Sequence, residues 1–181
     1  MSSCIFIQLT LKISGCPGGY HPHYHWSPST GHKCYRIFTN KVTWNEAQKI
    51  CKDQAGSRGG KAEARLARVA DPETVDFLSD LMEKTIGRFE GVWLGGYRTP
   101  SNANWKWDGY HWAVRFDNWA SGEPNNADGG ENCMMGWGGW SGSTGSWNDA
   151  KCKREVYNGQ VYHYQLGFIC QIDRCYAGNP C

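Results

Sequence analysis

The cysteine content places the strongest limit on how this chain can fold. Nine of its 181 residues are Cys, and they occur together with 10 Trp and 23 Gly. This composition is typical of a loop-rich domain held together by disulfides, which form in an oxidising compartment. We therefore expect a secreted, extracellular protein. The odd number of cysteines also indicates an intermolecular bridge or an unused thiol.

Size and charge narrow the classes of function. The chain is long enough for one domain with short extensions, and 40% hydrophobic residues are enough for a core. The net charge of +2 provides no strong electrostatic field for binding nucleic acid or an anionic membrane. No segment approaches the roughly 20 apolar residues of a membrane-spanning helix. We expect neither a nucleic-acid partner nor membrane insertion.

Two helices are predicted in the first half of the chain. Thr43 and Glu46 have the spacing of a capping box, in which each side chain accepts a hydrogen bond from the other residue's backbone amide. Asp71 and Pro72 form a second helix start, with a capping carboxylate followed by proline. The buried face of this second helix is expected to consist of Val75, Leu78, Leu81 and Met82.

Short strands are predicted after residue 91, where brief apolar runs alternate with Gly, Asn and Ser. Two helices followed by short strands indicate an α+β domain. Residues 1–15 alternate weakly in hydrophobicity, which favours an N-terminal extension with an extra strand. We assign residues 16–172 to the domain and residues 173–181 to a Cys-containing C-terminal tail.

The segment from Trp119 to Trp147 has almost no periodicity and is too long for an ordinary connection, so something must order it. Asn and acidic residues in a Gly-rich loop are often plain turn formers, but here they lie between two segments that contain cysteines. Calcium takes six to eight oxygen ligands, whereas zinc favours nitrogen and sulfur and magnesium a small octahedron. A cis bond at Glu123-Pro124 would direct the flanking side chains toward one ion. The predicted metal ligands are Glu123, Asn125, Glu131, Asn148 and Asp149.

An ordered set of motifs resembles the C-type lectin domain family. The resemblance extends over residues 16–171, and it implies the C-type lectin-like fold: two helices packed on short antiparallel sheets, with a long calcium-binding loop region and disulfide staples. The motifs that carry it are Cys16-Pro17, Cys34-Tyr35, Trp44 to Cys51, Leu66-Ala67, Val92-Trp93-Leu94-Gly95, Phe116-Asp117-Asn118-Trp119, Gly122-Glu123-Pro124-Asn125, Glu131-Asn132-Cys133, Trp147-Asn148-Asp149 and Phe168-Ile169-Cys170.

The resemblance implies that the five calcium ligands also bind a sugar, whose adjacent hydroxyls complete the shell of the ion. The form Glu123-Pro124-Asn125 resembles binders of mannose, fucose or N-acetylglucosamine, in contrast to the Gln-Pro-Asp form associated with galactose. A second calcium position of the family would use acidic residues near Thr99 to Ala103 together with the positions of Asn126 and Asn132, and these acids are absent. We therefore expect one calcium ion, with the second site weak or missing.

Disulfide pairing is also implied by the resemblance. The implied pairs are Cys16–Cys34, Cys51–Cys170 and Cys133–Cys152, which leave Cys4, Cys175 and Cys181 unassigned. One internal pair and one interchain link is the favoured arrangement for these three. A disulfide-linked homo-oligomer would gain avidity for glycans, because the second contact becomes intramolecular.

Two tryptophans in the loop 134–146 have two interpretations. Trp137 or Trp140 could stack on a sugar ring beside the calcium, or both could fold back onto the domain and hold a Gly-rich loop. The sequence leaves this choice open.

The main alternative to a lectin is a non-catalytic structural, matrix or protein-binding domain of the same fold, because a fold does not determine function. Enzyme activity is not expected. Glu123 and Glu131 could suggest a glycosidase pair, but a bound calcium would keep both carboxylates ionised and occupied.

Overall fold

The computed structural model describes most of the chain between Cys16 and Cys175. The described residues are 16–23, 32–56, 64–87, 91–100, 102–110, 113–127, 129–138, 145–153, 155–157, 160–162 and 164–175. The described residues do not include the strand predicted in residues 1–15, Trp140, Cys4 or Cys181. Of Cys175, only the backbone is described.

Two helices and ten strands are formed by the described residues. In chain order they are β1 (His21–His23), β2 (His32–Val42), α1 (Trp44–Gly56), β3 (Ala64–Leu66), α2 (Pro72–Ile86), β4 (Gly91–Thr99), β5 (Asn102–Trp107), β6 (Glu131–Trp137), β7 (Trp147–Lys151), β8 (Glu155–Tyr157), β9 (Gln160–Tyr162) and β10 (Leu166–Cys175).

Both helices begin where the capping residues predict. The backbone N–H of Thr43 donates to Glu46 Oε2 at 2.8 Å, and the N–H of Glu46 points back to Thr43 Oγ1 at 3.4 Å. At the start of α2, the Asp71 side chain accepts from the N–H of Thr74 at 2.8 Å, and proline follows it. The two predicted helices, and with them the α+β class of the domain, are confirmed.

The buried face of α2 differs in one position from the expectation. Leu78, Leu81 and Met82 are buried as predicted, but Thr74 is buried in place of Val75, which is half-buried. Thr74 tolerates this position because its hydroxyl lies 3.4 Å from His23 Nε2 of β1, so the buried oxygen has a polar neighbour.

The main sheet has the strand order β1-β2-β10-β4-β6-β7, with β3 added to β10 and β5 to β4, while β8 and β9 form a separate hairpin. The pairs are antiparallel, as expected, with the exception of β4 and β10, which run parallel. The order places β6 and β7 at one end of the sheet. The long segment between β5 and β6 therefore starts beside β4 and leads to β6 at that end of the sheet.

Two core clusters occupy opposite faces of this sheet, because successive strand residues point to opposite sides. The first core cluster includes Cys34, Trp44, Ala47, Cys51, Trp93, Phe168 and Cys170. The second core cluster includes Tyr35, Leu78, Leu81, Met82, Leu94, Trp147 and Ile169. Helix α1 thus covers one face and α2 the other.

Three disulfides are present in the described residues, and they join the pairs that the family resemblance implies. Cys16–Cys34 ties the first turn to β2, Cys51–Cys170 ties α1 to β10, and Cys133–Cys152 joins β6 to the end of β7. Within the same part of the chain, no helix is long and apolar enough to cross a membrane.

Loop length predicts unequal contributions of these bridges to stability. We expect replacing Cys51 and Cys170 by Ser to lower the free energy of unfolding by about 2–5 kcal/mol, because the bridge closes the longer loop in the unfolded chain. The separations are 119 residues here and 18 for Cys16–Cys34, so the matched double replacement of Cys16 and Cys34 should cost less. Denaturant unfolding measures both; a larger loss for the short loop would contradict the expectation.

Candidate functional site

A tight turn places the first candidate ligand. The N–H of Glu123 donates to the carbonyl of Ala120 at 3.0 Å, and Gly122 has a φ of +88°, the backbone conformation that a type II turn requires at its third residue. The N–H of Ala120 in turn donates to the carbonyl of Trp147 at 2.9 Å. This bond holds the turn beside the start of β7, where Asn148 lies.

Glu123 and Asn125 face each other across the proline. The Glu123–Pro124 peptide bond is cis, as predicted. Asn125 donates to the Glu123 carboxylate twice, from its backbone N–H at 3.1 Å and from Nδ2 at 2.8 Å. The two side chains therefore lie against each other, and Asn125 Oδ1 accepts from the N–H of Ala127 at 2.8 Å.

Asp149 connects this loop to the sheet. Its side chain is fully buried, and its carboxylate accepts from the N–H of Asn125 at 3.0 Å and from the N–H of Asn126 at 3.1 Å. Its own carbonyl accepts from Asn148 Nδ2 at 2.7 Å. One buried carboxylate thus fixes the backbone that follows Pro124.

Asn126 brings in the third segment. Its Oδ1 accepts from the N–H of Glu131 at 3.0 Å, at the first residue of β6. Asn126 has a φ of +49°, a left-handed conformation that Asn tolerates better than most residues. Glu131 itself is buried, with 4% of its surface exposed. The five predicted ligands therefore come from three stretches that hydrogen bonds hold in contact.

The electrostatics of the site show concentrated negative charge. The pKa of Glu123 is raised above its ordinary value, first by loss of solvation and then by the hydrogen bond with the Asp149 carboxylate, with further repulsion from Asp149 and Glu131. The backbone amide of Asn125 opposes this shift. A bound cation would relieve this repulsion on the Glu123 carboxylate.

The donor set fits calcium better than zinc. Three carboxylates and two amide oxygens are hard ligands, and the described part of the loops offers no imidazole or thiolate beside them. Among the described residues, His, Cys, Asp and Glu do not by themselves gather in a metal-binding group of three. A metal site here consequently depends on the amides of Asn125 and Asn148 as well as on the carboxylates.

Buried aromatic side chains pack against the loops that carry the predicted ligands. Trp147, which precedes Asn148, is fully buried and meets the rings of Trp107, Phe116 and Trp119 edge-on at 5.6–5.8 Å. The backbone N–H of Trp147 donates to the carbonyl of Asn118 at 2.8 Å. The polar loop therefore rests on the rigid second core cluster.

Sequence reasoning missed Arg98, at the end of β4, whose guanidinium donates to the carboxylate of Asp149. The available signal was a single arginine at the end of an otherwise apolar and aromatic strand, Val92 to Tyr97. It was missed because the sequence does not reveal that the end of β4 lies beside β6 and β7.

Trp137 is the last residue of β6, half-buried and packed against the first core cluster. Its backbone exchanges two hydrogen bonds with the far side of the loop, to Ser146 and from Gly145, each 2.9 Å. This arrangement agrees with the interpretation in which Trp137 folds back onto the domain and holds the Gly-rich loop. Trp140 lies outside the described residues.

Comparison with known proteins agrees with the family resemblance of the sequence motifs. The profile of the family described as Lectin C-type domain matches residues 40–158. The C-type lectin lectoxin-Lio3 of Erythrolamprus poecilogyrus is 31% identical, covering 91% of this chain and 89% of that protein. A perlucin-like protein of Mytilus galloprovincialis is 26% identical, covering 92% and 93%. Among solved structures, the cow C-type carbohydrate-recognition domain of CD23 in the presence of a GlcNAc2Man3 oligosaccharide has a TM-score of 0.64 and 25% identity, covering 90% and 99%.

The buried carboxylate of Asp149 gives a direct test of the loop arrangement. We expect Asp149→Asn to lower the free energy of unfolding in chelator by about 2–4 kcal/mol, because an amide presents a donor to groups that donate and leaves Arg98 without its anion. Urea unfolding measures the loss. The matched change Asp117→Asn, at an exposed carboxylate, should cost less than about 0.5 kcal/mol. Equal costs for the two variants would show that Asp149 does not organise the loops.

Proposed function

The chain belongs to the C-type lectin domain family, and from this premise we propose that it is a non-enzymatic, calcium-dependent lectin. Its partners would be glycans that end in mannose, fucose or N-acetylglucosamine. A secreted location accords with the three disulfides of the described residues.

The observation that carries the proposal is the hydrogen-bonded connection of the predicted ligands. Asp149 and Asn126 join the loop after Pro124 to the starts of β6 and β7. Loss of solvation is the main cause of the raised pKa of Glu123, and repulsion from the nearby Asp149 and Glu131 carboxylates adds to it. A plain solvated turn needs neither the fully buried carboxylate nor the repulsion.

The roles of the residues follow from their chemistry. Glu123, Glu131 and Asp149 would supply anionic oxygens, while Asn125 and Asn148 would supply neutral amide oxygens. A bound calcium ion would supply coordination positions for two sugar hydroxyls. Carboxylates accept hydrogen bonds from those hydroxyls, and amide N–H groups donate to them. Binding is reversible, and no covalent step is involved.

The sugar class rests on the Glu123-Pro124-Asn125 order. A carboxylate on one side of the proline and an amide on the other present an acceptor and a donor at fixed positions, so only one geometry of adjacent hydroxyls matches both. The similarity to a carbohydrate-recognition domain studied with a mannose- and N-acetylglucosamine-containing oligosaccharide supports the same class.

We propose one calcium ion per domain. The position beside Asn132 that a second ion would need is close to the positive guanidinium of Arg98, which lies 3.3 Å from Asn132 Oδ1.

A disulfide-linked homo-oligomer through Cys4, Cys175 or Cys181 remains part of the proposal, since weak single-site binding gains most from avidity. Trp140 stays a predicted sugar contact, and the packing of Trp137 favours its structural role.

A structural or matrix role is the alternative, because the same fold serves proteins that do not bind sugar. The two proposals differ in one requirement: a matrix role does not need the oxygens of Glu123, Asn125 and Asn148 to be available to a ligand.

Binding to a glycan array with calcium and with chelator tests the function. We expect binding to glycans ending in mannose, fucose or N-acetylglucosamine, with at least a tenfold loss of signal in chelator, because the hydroxyls lose their coordination positions. Readdition of calcium should restore the signal. Binding that survives chelator undiminished would refute the mechanism, and no binding to any glycan in calcium would favour the matrix role.

Exchanging the acceptor and the amide tests the sugar class. The double variant Glu123→Gln with Asn125→Asp should shift the ratio of mannose to galactose affinity at least tenfold toward galactose, about 1.4 kcal/mol. The reason is that the acceptor and the donor change places while the ligand oxygens remain. Competition with free monosaccharides measures the ratio.

A matched control makes the same chemical changes at exposed helical positions, Glu83→Gln with Asn45→Asp. The control should leave the ratio unchanged. If the loop variant also leaves it unchanged, another surface selects the sugar.

A further inference from the structure

Arg98 reaches from the end of β4 into the candidate calcium site. Its Nη2 donates to the carbonyl oxygen of Glu131 at 2.9 Å and to Oδ2 of Asp149 at 3.0 Å. Its Nε is 3.3 Å from Oδ1 of Asn132. One guanidinium therefore links the start of β6 to β7, two of the three stretches that provide the predicted ligands.

The guanidinium is itself held in place. The Arg98 side chain is 16% exposed, and its Cζ lies 5.0 Å from the centre of the Trp105 ring. The Trp105 ring packs against Trp119 in a tilted arrangement with centroids 4.9 Å apart, and Trp119 meets Trp147 edge-on at 5.7 Å. A planar group that stacks on an aromatic ring and makes several directed hydrogen bonds has little freedom to move away.

The charge of Arg98 also matters to the site. Glu123, Glu131 and Asp149 carry three formal negative charges, and Arg98 supplies one positive charge, leaving two to be balanced. One calcium ion balances that remainder. Oδ2 of Asp149 accepts from both Arg98 and the N–H of Asn126, and Oδ1 accepts from the N–H of Asn125. The arginine thus neutralises part of the buried charge from the side of the sheet.

We propose that Arg98 is a positioning residue that holds the calcium-binding loops in their binding arrangement before the ion arrives. In this role it acts as a fixed internal cation, joining Asp149 to the start of β6. Calcium then binds to stretches that are already aligned and does not have to order them. The proposal rests on the proposed calcium-dependent function, but its first consequence concerns the metal-free protein.

Two effects of removing Arg98 have opposite signs, which makes the proposal testable. By charge alone, loss of a positive group near the ion favours calcium binding. By positioning, loss of the three hydrogen bonds disfavours it, because ordering the loops then accompanies binding. Lysine separates the two effects, since it keeps the charge but lacks the planar, multiply bonding group.

The experiment compares the native chain with Arg98→Gln and Arg98→Lys. In chelator, hydrogen exchange at the amides of Asn125, Asn126 and Glu131 should be at least tenfold faster in Arg98→Gln, and intermediate in Arg98→Lys. Calcium affinity, measured by calorimetry and by terbium luminescence excited through tryptophan, should fall at least tenfold in Arg98→Gln and about threefold in Arg98→Lys. The control Arg115→Gln, at an exposed arginine, should match the native chain.

Unchanged exchange in chelator, or calcium affinity that is unchanged or tighter in Arg98→Gln, would overturn the proposal. If Arg98→Gln does not fold, Arg98→Lys decides: native values for both measurements would overturn it. The failure of the proposed function gives a different result. A native chain that binds neither calcium nor terbium would refute the calcium-dependent lectin, while the exchange measurement in chelator would still decide whether Arg98 positions the loops.

Discussion

The buried carboxylate of Asp149 is the interaction on which the arrangement of the binding loops depends. It lies on β7, yet it accepts hydrogen bonds from the backbone after Pro124 and from Arg98 at the end of β4. A carboxylate without exposed surface is stable only when its lone pairs are occupied. The loop conformation and the burial of Asp149 therefore require each other.

The rigidity of that carboxylate comes from the core beneath it. Trp147 fixes the start of β7 by packing among three aromatic rings and by bonding the chain on both sides of Trp119. Cys133–Cys152 ties β6 to the end of β7. The site thus combines a rigid base, made of apolar and covalent contacts, with a polar loop in which Glu123, Asn125 and Asn148 keep solvent-exposed surface.

This division explains how one fold can serve different functions. The core clusters and the disulfides define the fold, and they would persist if the oxygens of the loop were replaced. Calcium and sugar binding would depend on a few side chains, chiefly Glu123, Asn125 and Asn148, that contribute little to the core. For that reason family membership shows the architecture, while the function depends on this loop.

Local chemistry in the sequence determined much of the architecture. The capping pairs at Thr43 and Asp71 act within one helical turn, so the sequence alone located both helix starts. The three disulfides were predictable because ordered motifs carry a resemblance over most of the chain. The cis bond before Pro124 was predictable because it would direct the flanking side chains toward one ion.

Contacts between distant segments were decided only by the tertiary structure. The burial of Thr74 depends on His23, 51 residues away, and the role of Arg98 depends on Asp149, 51 residues away in the other direction. The parallel pairing of β4 with β10 joins residues that are farther apart still, 75 positions from Val92 to Gly167. Hydrophobic pattern and capping report the neighbours of a residue along the chain; which strands lie side by side depends on how the whole chain packs, because long-range contacts are stabilised only when the core forms.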